Sequence, residues 1–533
     1  MTATKRLKMA HLAVVSVMLL GSWTGISCGG PTNPGLGPDD SREMVEGTDE
    51  EPRGLLVNSQ RATPGYVYFA PLLSKITYLV ESQSGAVVRT WNSDFRPSAF
   101  VYLLENGNLL RGGREPDVEV FSGGGQGGRL QEFTWDGDLV WDFRYASDSR
   151  LLHHDVAMMP NGNILAIAWE AKSLEETQKM GRTPEMTPEN GLWPDIIVEF
   201  EPVPPNDARI VWEWHAWDHM VQDYDPNLEN YGELSVHPEL IDVNGGTYAD
   251  EPDEITDEER DRFRGIGYVP DDSEHDVTAD LMHINAIAYN AELDQIALSV
   301  RTYSEIWIID HSTTTEEARG HTGGRSGKGG DLLYRWGNPR AYGRGDAEDQ
   351  RTFGQHDIRW VPEGFVGERN LLVFSNNVPG PEDEGPHSTV FEITPPLDNA
   401  GNYALEGLAP FGPTVPTWSY TATEPESFHS PFISGAHRLP SGRTFITSGG
   451  PGRFFEVTRD GDIVWDYRSQ FSGDVDPSDD TMQFLVRQFP YAAFRATMLL
   501  PDAAALRGRS LVPLEPQPPL VFPPEVIESG EDC

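Results

Sequence analysis

Three histidines stand at the heads of strand-like runs that end in turns: His154 in LLHHDVAMMPNGN, His283 in LMHINAIAYNAELDQ and His356 in FGQHDIRWVPEG. Imidazole can be neutral near pH 7, so these are candidates for a nucleophile, a proton carrier or a metal ligand. Taking the residue six before the turn in each comparable run puts Ala99, His154, His283, His356, Ser434 and Arg495 in one register. Independent placement of three histidines and an arginine in one register is improbable. A repeated unit accounts for it.

The repeat is a hairpin followed by a second hairpin that ends on tryptophan. Six copies of the first are legible, from AFVYLLENGNLLRGG to RATMLLPD, and EFTWDGDLVWDF and FEVTRDGDIVWDY are examples of the second. Two hairpins make a four-stranded sheet, and six such sheets set radially predict an all-β, six-bladed β-propeller over residues 57–512. The sixth copy lacks its second hairpin, and YLVESQSGAVVRTW near the N-terminus supplies one. The ring is therefore expected to close by pairing N- and C-terminal segments. The long interval between His154 and His283 holds an acidic insertion, about 216–279, expected as loops and short helices.

In this architecture the first strand of each blade lines the channel, so His154, His283, His356 and Arg495 should meet at one mouth, with Ala99 and Ser434 leaving room. The second strands return there, bringing Arg301 beside His283, Glu170 beside His154, and Asn376 or Asn377, of which Asn377 joins the expected site, beside His356. Period two turns Asp155 and Asp357 away, as backbone caps. His437 sits three positions out of register. His11, His237, His275, His321, His387 and His429 read as surface or structural histidines. The GGGQGG run at Gly123–Gly128 lacks the Lys-Ser/Thr of a phosphate loop and reads as a flexible connection.

A net charge of −44 repels nucleic acid and anionic membrane surfaces. Lys5, Arg6 and Lys8 precede an apolar run ending at Cys28, which reads as a signal peptide of lipoprotein type over 1–28. Residues 29–56 then form an acidic tether and 513–533 a tail. Export to the periplasm or cell surface follows, with the membrane reached only through a lipid on Cys28. Such a lipid would leave the second cysteine, Cys533, without a disulfide partner.

The segments HHDVAMMPNGNILAIAWE, WEWHAWDHMVQDYDP, HINAIAYNAELDQIALSVRTYSEIWIIDHSTTT, GDLLYRWGNPRAY and FGQHDIRW resemble the bacterial arylsulfotransferase family, from about Tyr66 to Arg495. The His-x-Asn at His283, with an arginine eighteen residues after the histidine, is the most specific element. The resemblance implies a six-bladed periplasmic enzyme that moves a sulfuryl group between phenols without a nucleotide donor. It implies His356 as the transiently sulfated nucleophile, His154, His283 and Arg301 as holders of the sulfuryl oxygens, and Asn285 as an accessory. Arg495, Glu170 and Asn377 complete the expected substrate-binding set. Partners would be aryl sulfates and phenols, with no cofactor and no metal. Two alternatives remain open from the residues: a histidine-ligated metal enzyme in the channel, and a non-catalytic anchored propeller. Sulfuryl transfer resembles phosphoryl transfer in asking mainly for positioning and cationic donors, which this ring contains.

Overall fold

The computed structural model describes residues 52–121, 123–246, 278–381, 385–398, 401–473 and 485–520. The leader, Cys28, the DEPDEITDEERDRF segment and Cys533 lie outside them. Six antiparallel four-stranded sheets form a ring, a six-bladed β-propeller. Blade 1 runs Pro97–Leu103, Leu109–Arg114, Gly128–Phe133 and Leu139–Arg144, and blade 2 runs Arg150–Met158, Ile164–Glu170, Asp195–Val203 and Asp207–His215. Blade 3 is Ile284–Asn290, Gln295–Val300, Glu305–Asp310 and Tyr334–Trp336; blade 4 is His356–Trp360, Leu371–Val378, His387–Ile393 and Trp418–Tyr420. Blade 5 is Gly435–Arg438, Thr444–Ser448, Arg453–Val457 and Ile463–Arg468.

Blade 6 closes the ring as expected, from both ends of the chain. Its innermost strand is the C-terminal Ala493–Leu499, paired with Tyr66–Pro71 and followed by Ile76–Glu81 and Val87–Asn92. A second closure was not foreseen. Gly54–Asn58 adds a fifth strand to the outer edge of blade 5, so the last residues of the segment expected as tether belong to the fold. This strand covers an edge that would otherwise expose unpaired backbone groups.

The core lies between blades. One cluster joins Phe100, Leu110 and Trp141 of blade 1 to Val156, Ala166 and Val198 of blade 2. Another joins Phe374 and Val390 of blade 4 to Ala436, Ile446 and Phe455 of blade 5. Burial on both faces explains why ILAIAWE and EIWIID are apolar without alternation and are buried throughout. Only the outer strands are half-exposed, as in Asp207–His215.

The repeated tryptophan has one job in all six blades. Its Nε1–H reaches the outer hairpin of the next blade: Trp91 to Thr134 O at 3.0 Å, Trp141 to Asp207 O at 2.9 Å, and Trp212 to Thr313 Oγ1 at 3.2 Å. Trp336 donates to Pro413 O at 2.8 Å, Trp418 to Arg459 O at 2.9 Å, and Trp465 to Ser82 O at 2.8 Å. The last bond spans the closure of the ring.

The insertion contains a 3₁₀ turn at Ala216–His219 and a short parallel pair, Met220–Val221 with Ile241–Asp242. Among the described residues no helix is long and apolar enough to cross a membrane.

Because the indole of Trp465 supplies both area and a bond, the two contributions separate by substitution. Trp465→Phe should cost about 1–3 kcal/mol, by leaving Ser82 O unpaired, and Trp465→Ala about 3–5 kcal/mol, in urea denaturation. Equal stability of parent and Trp465→Phe would show that the bond contributes nothing to closure.

Candidate functional site

The innermost strands are irregular where the ring residues lie. In blade 3, Ile284 pairs with Val300 and Ala286 with Ser299, leaving Asn285 as an extra residue; in blade 4, His356 pairs with Phe374 and Ile358 with Val373, leaving Asp357 extra. Blade 6 shifts register by one residue beside Arg495 in the same way, and blade 2 by two, with His153, His154 and Asp155 facing Ile167 alone. His154, His283 and Asp357 have φ of 52°, 51° and 60°, left-handed values that cost a non-glycine residue on the order of 1–3 kcal/mol. Such bulges cancel period two locally. Asp155 and Asp357 are therefore not turned away, as strict alternation predicts. They remain backbone caps, accepting from Ile287 N at 3.3 Å and Ala436 N at 3.1 Å, but both also face Arg495.

His356 is fully buried and its tautomer is fixed by its surroundings. The Asn376 amide nitrogen donates to Ser430 O at 2.7 Å and Ile433 O at 2.9 Å, so Asn376 Oδ1 must face the imidazole. His356 Nδ1–H donates to that oxygen at 2.9 Å and lies 3.2 Å from Gly354 O. The lone pair is then on Nε2, which has no hydrogen-bond partner among the described residues. Burial, and after it the Arg301 charge, holds the His356 pKa well below the ordinary histidine value. The group is a neutral imidazole with an unengaged lone pair.

The other ring members surround it. His154 and His283 stand edge to face, ring centroids 4.4 Å apart. His283 Nδ1–H donates to Asp280 Oδ2 at 2.5 Å, and Asp280 also accepts from Trp169 Nε1 at 3.0 Å. His154 Nδ1 lies 2.8 Å from His153 Nδ1, and burial followed by the His283 charge keeps His154 neutral far below its usual range. Arg301 is buried, and its backbone N donates to His283 O at 3.3 Å. Asn285 Nδ2 donates to Gln355 O at 2.7 Å, while its Oδ1 has no partner among the described residues. The channel mouth thus brings together a buried guanidinium, the two imidazoles of His154 and His356 held neutral, and two acceptor atoms, His356 Nε2 and Asn285 Oδ1, that are unengaged among the described residues.

Arg495 is engaged otherwise than expected. It donates to Asp155 Oδ2 at 2.6 Å and Asn285 O at 3.0 Å, and its Nε lies 3.2 Å from Asp357 Oδ1. Its charge contributes to the low pKa of His154 and His356, but its donors serve carboxylates. Glu170 is not beside His154. It pairs in register with Arg150, beyond the bulge, and its carboxylate meets Lys172 at 3.1 Å and His215 at 3.2 Å. Asn377 is displaced from His356 by Asn376, because a further irregularity lies between Ser375 and Val378. It instead accepts from His429 Nε2 at 3.0 Å. His437 accepts from Met498 N at 3.3 Å, away from the ring, and burial lowers its pKa to about 3.

GGGQGG is a cover for His154 and not a flexible connection. His154 N donates to Gly125 O at 2.9 Å, and a Cβ on Gly125 would come within 2.3 Å of the His154 ring. With φ of +76°, that position suits glycine twice over.

Sequence reasoning missed the layer behind the ring. His153 stacks on Trp169, centroids 4.1 Å apart, and its Nε2 is 2.6 Å from Asp195 Oδ1, out of line for a hydrogen bond. Burial takes the His153 pKa to about 3; burial, then Asp280, raises that of Asp195. The signals were present in the His-His doublet and in Asp280, three residues before His283. Another missed group, His219 with His321 and Asp331, lies outside the channel.

The Arylsulfotransferase (ASST) family matches residues 103–484. The chain belongs to this family. No curated protein matches it in sequence. Among solved structures, a Bacteroides caccae protein of unknown function aligns at 10% identity and a TM-score of 0.41, over 82% of this chain and 99% of that one. A streptogramin B lyase aligns at 11% identity and a TM-score of 0.34, over 80% and 85%. These TM-scores add nothing to the fold described above.

Two outcomes follow from the arylsulfotransferase-family site. His153, His154, His356 and His437 resist protonation when folded, whereas the unfolded chain protonates them near pH 6.5. The unfolded state thus binds more protons, and stability is lost as pH falls below that value, by at most about 1.4 kcal/mol per pH unit for each group. Asp195, Glu305 and His311, all raised, and Asp242, raised by burial to about 6, oppose this in part. Urea melts at pH 7 and pH 5.5 should differ accordingly, less so in His437→Asn; a flat profile would contradict burial of neutral imidazoles. Arg495→Met should cost about 3–5 kcal/mol by leaving buried carboxylates unpaired, and Asp155→Asn added to it should recover part.

Proposed function

We propose that this arylsulfotransferase-family protein is an aryl-sulfate sulfotransferase that works through a sulfohistidine at His356, by a ping-pong sequence. Family membership supports the activity class, with aryl sulfates and phenols as substrates. The observation that carries the mechanism is the His356 imidazole, held through Nδ1–H by Asn376 while Nε2 keeps an unengaged lone pair beside the Arg301 charge.

In the first half-reaction Nε2 attacks the sulfur of the donor ester. The N–S bond forms, the S–O bond to the aryl group breaks, and the phenolate leaves with its electron pair. Charge develops on the sulfuryl oxygens and the departing oxygen, where we assign Arg301, His154 and His283 to offset it, His283 as a donor only with both ring nitrogens protonated because its Nδ1–H is given to Asp280. In the second half-reaction an acceptor phenol oxygen attacks the sulfur, and the N–S pair returns to Nε2. The acceptor gives up one proton and the departing phenolate gains one, so the cycle is balanced. Asn376 acts as a positioning residue: it holds the imidazole in the tautomer that presents Nε2. We further propose that this chemistry takes place outside the cytoplasm, in the periplasm or at the cell surface, with lipid on Cys28 as the anchor; the support for this is Lys5, Arg6 and Lys8 ahead of an apolar run that ends at Cys28.

His356→Ala should abolish turnover of a chromogenic aryl sulfate at every pH. His154→Ala, His283→Ala and Arg301→Ala should each lose on the order of 10²- to 10³-fold in rate. Incubating the parent with donor alone should leave one sulfuryl group on the peptide carrying His356. Modification at His437, or intersecting initial-rate plots in place of parallel ones, would overturn the sulfohistidine reading.

A further inference from the structure

We propose that His219, His321 and Asp331 form a binding site for one zinc-class divalent metal ion, outside the channel and independent of the sulfuryl-transfer reading. One donor atom from each residue lies within 4.8 Å of the others. His219 is fully buried, and its Nε2–H donates to Ala318 O at 2.9 Å. In the neutral ring that bond leaves the lone pair on Nδ1, which faces Asp331 Oδ1 at 2.8 Å. His321 Nδ1 meets the same oxygen at 2.8 Å. An imidazole lone pair and a carboxylate oxygen, both acceptors, repel at that distance unless a proton or a cation stands between them. A metal ion satisfies all three atoms at once. Two imidazoles and one carboxylate are a common zinc donor set, and a ligating histidine that gives its other N–H to a backbone carbonyl is the usual outer-shell arrangement.

The surrounding chain is shaped for this meeting. His321 and Asp331 stand at the two ends of HTGGRSGKGGD, whose glycines close on themselves through Gly329 N to Gly323 O at 3.1 Å and Gly330 N to Gly320 O at 3.0 Å. A Cβ on Gly330 would fall 2.6 Å from His219 Nε2 and 2.1 Å from Ala318 O, so the approach needs glycine. The Trp214 ring lies parallel to His219, centroids 5.8 Å apart, and its Nε1 donates to Gly330 O at 2.7 Å. His219 comes from the HAWDH segment that follows blade 2, whereas the loop belongs to blade 3. The ion would therefore tie two blades together. His321 is exposed and also lines a cleft of about 490 Å³ with Trp217, Asn230 and Tyr231, through which metal and water can enter. Zinc ligands in tetrahedral geometry stand about 3.3 Å apart, so each imidazole nitrogen must draw back from Asp331 Oδ1 by about half an ångström while the two imidazole donors, within 4.8 Å of each other, move closer, an adjustment the exposed His321 can make.

The test uses the full chain, stripped with a chelator and dialysed against micromolar zinc. The parent should retain one equivalent by elemental analysis and gain a few degrees in melting temperature. His321→Ala and Asp331→Asn should bind none and melt at the same temperature with or without zinc. Magnesium should give no shift in any of the three. His154→Ala, in the channel, should bind zinc like the parent. Zinc retained in full by His321→Ala, or no zinc taken up by the parent, overturns the proposal.

Discussion

One guanidinium ties most of the ring together at the channel. Arg495 is carried by the innermost strand of blade 6, and it reaches Tyr102 of blade 1 at 3.4 Å, Asp155 of blade 2, Asn285 of blade 3 and Asp357 of blade 4. Asp155 and Asp357 in turn cap backbone N–H groups of the blade that follows each. A buried cation without partners would be expensive, and so would two buried carboxylates; together, with hydrogen bonds to spare, they fix the radial position of four blades. The site residues stand directly beside these contacts. Asp155 follows His154, Asn285 lies two residues after His283, and Asp357 follows His356, so the clamp sets where each imidazole can be.

The clamp also accounts for the strain. A regular strand sends neighbouring residues to opposite faces, and could present the histidine or its following carboxylate to the channel, not both. A bulge with a left-handed residue admits both, at a conformational cost of on the order of 1–3 kcal/mol per residue. Burial between blades and the tryptophan bonds at the rim offset that cost. His154, His283 and Asp357 are left-handed at the candidate chemistry, but the strain is not confined to it: Ile433 and Ser434 at the head of blade 5 are left-handed too, and blade 1 shifts register beside Ala99.

This division sets what could be read from the sequence. The fold was legible because turn signals, repeated tryptophans and the six-residue offset all report regular geometry. The meeting of His154, His283 and His356 was legible for the same reason, since it needs only equivalent positions in equivalent strands. What failed were inferences from strand alternation beyond the bulge. Asn377 was chosen where Asn376 serves, Glu170 was placed beside His154 although it meets His215 and Lys172, and Asp155 and Asp357 were sent outward. A one-residue bulge moves every later side chain to the other face, and nothing in HHDV or QHDI announces it. The Gly125 contact was hidden for a different reason: a glycine that must approach a ring reads like one that merely bends.

The acidic surface and the two arginines of the channel are compatible because they act over different ranges. At physiological ionic strength, exposed charges are screened beyond about 8 Å, so most of the −44 is not felt at a site buried inside the ring. Arg301 and Arg495 act there at contact distance, through a medium that screens them far less. Their effect on His356 is to oppose its protonation, in the same direction as burial. The features that would hold an anion are thus the features that keep the imidazole neutral and its lone pair available. A carboxylate bonded to His356 Nδ1, as Asp280 is to His283, would push the other way, toward imidazolium. The amide of Asn376 orients the ring without adding charge, so an uncharged partner suits the nucleophilic role proposed for His356.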